Sequence, residues 1–224
     1  MGRRHVQRRA DAVVTPASTP VTLTVIGLGP GGDEHITAEA LRAIADHEHR
    51  YLRTRQHPST HLVGAATSFD EVYERADTFD DVYAEIAERL VAAAQQHGSV
   101  LYAVPGSPLV LERTVSLLRT DGRIDLRILP ALSFLDVAYQ RLGIDPVEAG
   151  VRLIDGHDFA TASAGYGGPM LIAHTHANWV LSDIKLAVEE ATGDEAVVIL
   201  QRLGTPDERI VHTTWSELDR AVDA

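Results

Sequence analysis

The chain has 224 residues, 45% of them hydrophobic and 23% charged, with a formal net charge of −12 and no cysteine. That composition fits one large or two small globular domains, and it excludes disulfides, cysteine-ligated metals, iron–sulfur clusters and thiol nucleophiles. Residues 1–20 set Arg3, Arg4, Arg8 and Arg9 against Asp11, a balance of +3 that leaves −15 for the remainder. So acidic a body repels polyanions and argues against nucleic-acid binding.

No apolar run nears the roughly 20 residues of a membrane span, and the first twenty residues lack the apolar core of a secretory signal. The expectation is therefore a cytoplasmic protein with no membrane partner, opening on a disordered basic tail over 1–20. VTLTVIG (21–27) is β-branched and apolar throughout, the pattern of a buried parallel strand. Thr37 is placed to N-cap a helix over AEALRAIADH. HRYLRT (49–54) reads as a second, shorter strand, and residues 55–69 as irregular. The apolar spacing from Asp70 to His97 predicts one or two amphipathic helices closed by Gly98. SVLYAV (99–104) is the next strand, 109–119 a helix, IDLRIL (124–129) a fourth strand, and SFLDVAYQRL a helix ended by Gly143.

Alternating strands and helices of this kind imply an open, mainly parallel sheet with helices packed on it. Beyond a connection around 143–150 the texture changes. PMLIAH (169–174), a helix from Asn178, EAVVILQRLG (195–204) and ERIVHTTW (208–215) read as a smaller α/β unit with antiparallel pairing. The expected organisation is an N-terminal α/β domain over 21–143 and a C-terminal one over 144–220.

Ligands of open parallel sheets bind beyond the carboxyl ends of the strands, where this chain has GLGPGG, PGSP and PALS. Gly27, Gly29 and Gly32 satisfy the dinucleotide fingerprint G-x-G-x-x-G. That fingerprint also needs a helix opening inside the motif and an acid ending the second strand. Here the helix starts late, at Thr37, Asp33 and Glu34 lie where a pyrophosphate would sit, and the second strand ends in Arg53, Thr54 and Arg55. An NADP-dependent oxidoreductase stays open through those arginines, as does a turn with no ligand.

Taken together, GLGPGG…IT, YAVPGSPLV, ILPALSFLD and RLGTPDERI occur in an order that resembles the tetrapyrrole (corrin/porphyrin) methylase family. Arg53-Thr54-Arg55-Gln56-His57-Pro58, SFDEVYE and VPGSPLVLERTV are similar to one branch of it, the methylase-like N-terminal domain of MazG-type nucleotide pyrophosphohydrolases. The resemblance covers about residues 21–220. It implies a two-domain fold with S-adenosylmethionine in the cleft between a mainly parallel sheet, helices on both faces, and a smaller mixed-sheet domain. Carried over by position, Pro30 and Gly31 would edge that cleft, and Gly106, Ser107, Pro108 and Val110 would form its central loop. Ser133 and Phe134 would follow the fourth strand, Ala173 and His174 would come from the second domain, and Leu203 and Gly204 would lie near the adenine. Ser107 stands where many relatives carry Asp, and Ala131 where glycine is common. The family also implies a homodimer.

Methyl transfer from a sulfonium is an in-line displacement in which alignment supplies much of the rate. A base is needed only when the small-molecule acceptor must lose a proton; His174 is the least implausible candidate, although a histidine at a strand end is more often a hydrogen-bonded structural residue. No catalytic residue is assigned. His47-Glu48-His49 and His174-Thr175-His176 have the look of metal dyads, but alternate residues of a strand face opposite ways, so no metal is expected. Glu189, Glu190 and Glu195 read as a solvated rim. The helical E-E-x-x-E of a magnesium pyrophosphohydrolase is not present. Three readings follow: a methyltransferase of unknown acceptor, a non-catalytic S-adenosylmethionine-binding regulatory module, and the NADP oxidoreductase.

Overall fold

The computed structural model describes residues 21–188 and 191–221. The basic tail read at 1–20, together with Glu189 and Glu190, lies outside the described residues. The first unit is built from β1 (Thr22–Gly27), α1 (Ala38–Asp46), β2 (Arg50–Leu52), β3 (Thr67–Ser68), α2 (Asp70–Arg75), α3 (Phe79–His97), β4 (Ser99–Val104), α4 (Arg113–Leu118), β5 (Asp125–Ile128) and α5 (Phe134–Leu142). Its five strands run in the order β3-β2-β4-β1-β5, and every pairing is parallel.

Because side chains alternate across a strand, β1 and β4 serve two cores. Leu23, Val25, Val100, Tyr102 and Val104 face α3 and its neighbours. Ile26, Leu101 and Ala103 face the opposite way, towards Ala40, Ala43 and Ile44 of α1. Strands covered on both sides read as continuous apolar runs, which is why VTLTVIG and SVLYAV are legible as strands.

The helix ends follow local chemistry. The Thr37 hydroxyl accepts from the Ala40 N–H at 3.1 Å, and Thr78 caps α3 through the Asp81 N–H at 3.2 Å. Gly98 and Gly143 close α3 and α5 at φ +79° and +65°, which L-residues adopt only at a cost.

Two stretches differ from the sequence expectation. Residues 55–69 are not irregular: Pro58–Leu62 form a 3-10 turn, and β3 adds a fifth strand at the sheet edge. Two residues are too few to carry a periodic signal. The helix expected over 109–119 is shortened to α4 because Leu111 sits at φ +56°, outside the right-handed helical region.

The second unit contains β6 (Arg152–Asp155), α6 (Phe159–Ala162), β7 (Met170–Ala173), α7 (Asn178–Leu186), β8 (Ala196–Gln201) and β9 (Arg209–Thr214). β6 and β7 pair in parallel, and β8 and β9 antiparallel. Ile154, Phe159, Val180, Leu181, Ile184 and Leu218 form its core. Among the described residues, no helix is long and apolar enough to cross a membrane.

Candidate functional site

The glycine loop after β1 is spent on packing chain against chain. A Cβ on Gly27 would stand 2.1 Å from the Gly106 carbonyl oxygen and 2.5 Å from the Ala131 Cβ, and one on Gly31 would stand 2.0 Å from the Gly204 oxygen. Gly29 donates to the Gly106 carbonyl at 3.3 Å, Gly106 donates back at 2.8 Å, and Gly32 donates to the Gly204 carbonyl at 3.1 Å. Two N–H groups that a pyrophosphate cradle would use are thus already bonded. Gly27→Ala is expected to destabilise the protein by about 1–3 kcal/mol, since the clash is with backbone that cannot swing away; a lower urea midpoint at unchanged slope would show it.

The stretch after β2 holds this loop from behind. The His57 Nε2–H donates to the Gly29 carbonyl at 2.9 Å, while its Nδ1 accepts the Ser59 N–H at 3.2 Å. The Nδ1 acceptor bond needs the neutral ring, and burial lowers the His57 pKa from its ordinary value. The Ser59 hydroxyl donates to the Gly31 carbonyl at 3.1 Å. Between the two units, Arg141 of α5 pairs with Glu208, which also accepts the Gly204 N–H at 2.7 Å.

Between the units lies a cleft of about 970 Å³, at the upper end of the usual range for small-molecule sites, roughly 300–1,000 Å³. Of the twelve residues nominated from sequence, eight line it. Pro30 comes from the glycine loop, Gly106, Ser107 and Val110 from the loop after β4, and Phe134 from the first turn of α5. Ala173, His174 and Leu203 come from the second unit.

The other four are not on the cleft wall. Gly31 and Gly204 pack on one another, and Pro108 lies close under Gly27. Ser133 is buried, with its hydroxyl and N–H engaged in a capping box with α5. All of Met170–Thr175 and all of Glu195–Leu200 line the cleft. A strand cannot point both pleat faces one way, so β7 and β8 present backbone edges. Among the described residues each pairs on one side only.

Backbone strain concentrates here. The non-glycine residues with positive φ among those described are Leu111, His174 and Arg202, and all three line the cleft. Each costs of order 1–3 kcal/mol, and such residues cluster at functional sites.

Sequence reasoning missed two clusters. Arg53, on the cleft wall, donates through Nη1 to Glu112 Oε2 at 3.0 Å and through Nε to the Tyr73 hydroxyl at 2.9 Å. Among the described residues, the second Glu112 oxygen and the Tyr102 hydroxyl are buried without a hydrogen-bond partner. Burial pushes the Glu112 carboxyl up against the pull of Arg53, and pushes the Tyr102 phenol well up. Burial also opposes charge on Arg53, yet Glu112 and Tyr73 outweigh it and hold the guanidinium pKa above its ordinary value.

The second cluster is Asp155, His157 and His174, with Asp155 Oδ2 at 3.0 Å from His174 Nδ1. The alternation argument does not reach it, because β7 ends at Ala173 and His174 turns at φ +61°. Glu195, also on the cleft, has its carboxylate held below the ordinary range by the Thr192 N–H and further hydrogen bonds.

The architecture has solved counterparts. Cobalt precorrin-4 methyltransferase CbiF superposes with a TM-score of 0.67 at 19% identity, over 93% of this chain and 91% of that one. Uroporphyrin-III C-methyltransferase from Thermus thermophilus, complexed with S-adenyl homocysteine, gives 0.62 at 16% identity, over 91% and 88%. Uncharacterized protein YabN of Bacillus subtilis (strain 168) is 33% identical over 208 residues, which is 89% of this chain but 42% of that protein. The chain therefore spans less than half the length of that curated relative. Residues 22–219 match the family model for tetrapyrrole (corrin/porphyrin) methylases; with the glycine loop, the loop after β4 and the cleft between the two units assembled as described, the chain belongs to that family.

Proposed function

We propose that this protein is an S-adenosylmethionine-dependent methyltransferase of the tetrapyrrole methylase type, acting on a small acceptor poor in carboxylates. The observation that carries the reading is the cleft itself, walled by two domains, rimmed by three strained residues and edged by open backbone of β7 and β8. Backbone N–H and C=O groups match the polar edge of an adenine and an amino-acid moiety, and the apolar wall takes the rest. An acidic protein also favours a sulfonium cation over a phosphate. When bound, the cofactor supplies an electrophilic methyl group.

The chain's own part is alignment. Gly106 and Pro108 fix both sides of Ser107, so the loop after β4 is a rigid wall against which a ligand is oriented. His174 is the imidazole on the cleft wall, and its Nδ1 faces Asp155, which leaves Nε2 to take a proton from an acceptor that must lose one. Arg53 and Arg202 are the cleft's arginines, the first paired with Glu112 and the second 3.8 Å from Asp207. Little positive charge remains for a polycarboxylate such as a uroporphyrinogen.

Calorimetry with S-adenosylmethionine, S-adenosylhomocysteine and NADPH tests the reading. Binding of the first two is expected; binding of NADPH alone would overturn it in favour of the oxidoreductase.

A second reading is a non-catalytic binding module of a MazG-type protein. It is favoured by the resemblance of the stretch after β2 and by the greater length of the Bacillus relative. Mass spectrometry for S-adenosylhomocysteine formed against a lysate of acceptors separates the two, since a pure binder forms none. A homodimer is proposed on the family resemblance and is checked by light scattering.

A further inference from the structure

We infer that Asp155, His157 and His174 form a divalent transition-metal site at the edge of the cleft, a site that methyl transfer does not require. One ligand atom from each of the three side chains lies within 4.8 Å of the other two. A tetrahedral zinc site with bonds of about 2.0–2.2 Å spaces its ligands roughly 3.4 Å apart. The cluster needs only small side-chain rotations to close on an ion, and its partly exposed side chains are free to make them.

The backbone prepares this arrangement. Asp155 ends β6 in register with Ala173, so His174 is the next residue beyond the parallel pair. Its positive φ turns the chain there, and the ring Nδ1 meets Asp155 Oδ2 at 3.0 Å. The other Asp155 oxygen accepts the His157 backbone N–H at 3.1 Å, and a ring nitrogen of His157 lies within 4.8 Å of that carboxylate. Gly156 makes the turn possible, since a Cβ there would stand 2.9 Å from the Ala173 carbonyl oxygen. His176 lies alongside, its ring centroid 5.6 Å from that of His157.

Two imidazoles and one carboxylate select zinc, cobalt or nickel over the harder magnesium and calcium, which prefer all-oxygen sets. The ion would replace the proton shared by His174 and Asp155. With three protein ligands it would keep a coordination position open for water or an acceptor oxygen, as catalytic zinc sites do. His174 belongs both to this cluster and to the cleft wall.

The test is titration of the untagged, chelator-treated full chain with Zn²⁺ by calorimetry and with Co²⁺ by visible absorption. One ion per chain is expected, with d–d bands of a low-coordinate cobalt. His157→Ala removes an exposed side chain and keeps the fold, and Asp155→Asn keeps the acceptor for the His157 N–H. Each should weaken Zn²⁺ binding at least tenfold. The stacked pair His49 and His97, 3.7 Å between centroids, is the competing histidine site, so His97→Ala should change nothing. The proposal is overturned by no binding, by equal loss in His97→Ala, or by unchanged affinity in His157→Ala. Metal binding is read without the methyl donor, so its failure leaves the methyltransferase reading standing.

Discussion

Arg53→Met is expected to destabilise the protein by about 3–5 kcal/mol at neutral to mildly alkaline pH, the loss typical when one partner of a buried ion pair is removed. The Glu112 side chain is 2% exposed and Arg53 28%, so the carboxylate has no solvent to turn to. With Glu112 already pushed above the ordinary carboxylate range, the folded state binds more protons than the unfolded one between the two values. Stability therefore falls as pH rises from the unfolded pKa through the folded one.

Without Arg53 the folded pKa climbs further, the window widens upward, and the variant should recover part of its loss as pH is lowered towards 5. Arg53→Met combined with Glu112→Gln, which leaves no ion to bury, should regain most of the stability. Urea unfolding at two pH values checks all of this. A wild-type midpoint in Arg53→Met would show that solvent, and not Arg53, neutralises the site. The consequence reaches function because Glu112 precedes α4 and anchors the loop from Pro105 to Leu111 that walls the cleft.

That pair illustrates what the sequence can and cannot reveal. β1, β4, the Thr37 cap and the glycine stops at 98 and 143 are local chemistry, so they are readable from a few adjacent residues. The family motifs likewise locate Gly106, Ser107 and Val110, because each sits in a short loop with its own Gly and Pro signature. Arg53 and Glu112 are 59 residues apart, and periodicity says which face a residue takes but not which partner it meets there. Asp155 finds His174 through the register of β6 on β7, and no spacing rule foretells a register.

Backbone conformation was also hidden. Leu111, His174 and Arg202 are not glycine, and only the assembled cleft shows that their φ values are positive. The glycines of the loop after β1 also have a packing role the string does not disclose. Gly27 and Gly31 let three loops touch at backbone distance, beside the cleft that Pro30 and Gly106 line.

The same contact makes Ser107→Trp the sharpest probe of where the cofactor lies. Gly106 is bridged to Gly29 by a pair of backbone hydrogen bonds, and Pro108 is buried beneath Gly27. The loop is pinned on both sides of Ser107 and cannot retreat, so an indole at 107 has to enter the cleft that Ser107 lines. Affinity for S-adenosylhomocysteine is expected to fall at least 100-fold, about 2.8 kcal/mol, with the unfolding free energy from urea titration within about 0.5 kcal/mol of wild type, as for surface changes. Leu109→Trp supplies the matched control: Leu109 is 62% exposed and outside the cleft lining, so the same bulk two residues away should leave binding unchanged. Equal affinities in the two variants would place the cofactor elsewhere, whereas a loss confined to Ser107→Trp ties methyl-donor binding to the loop after β4.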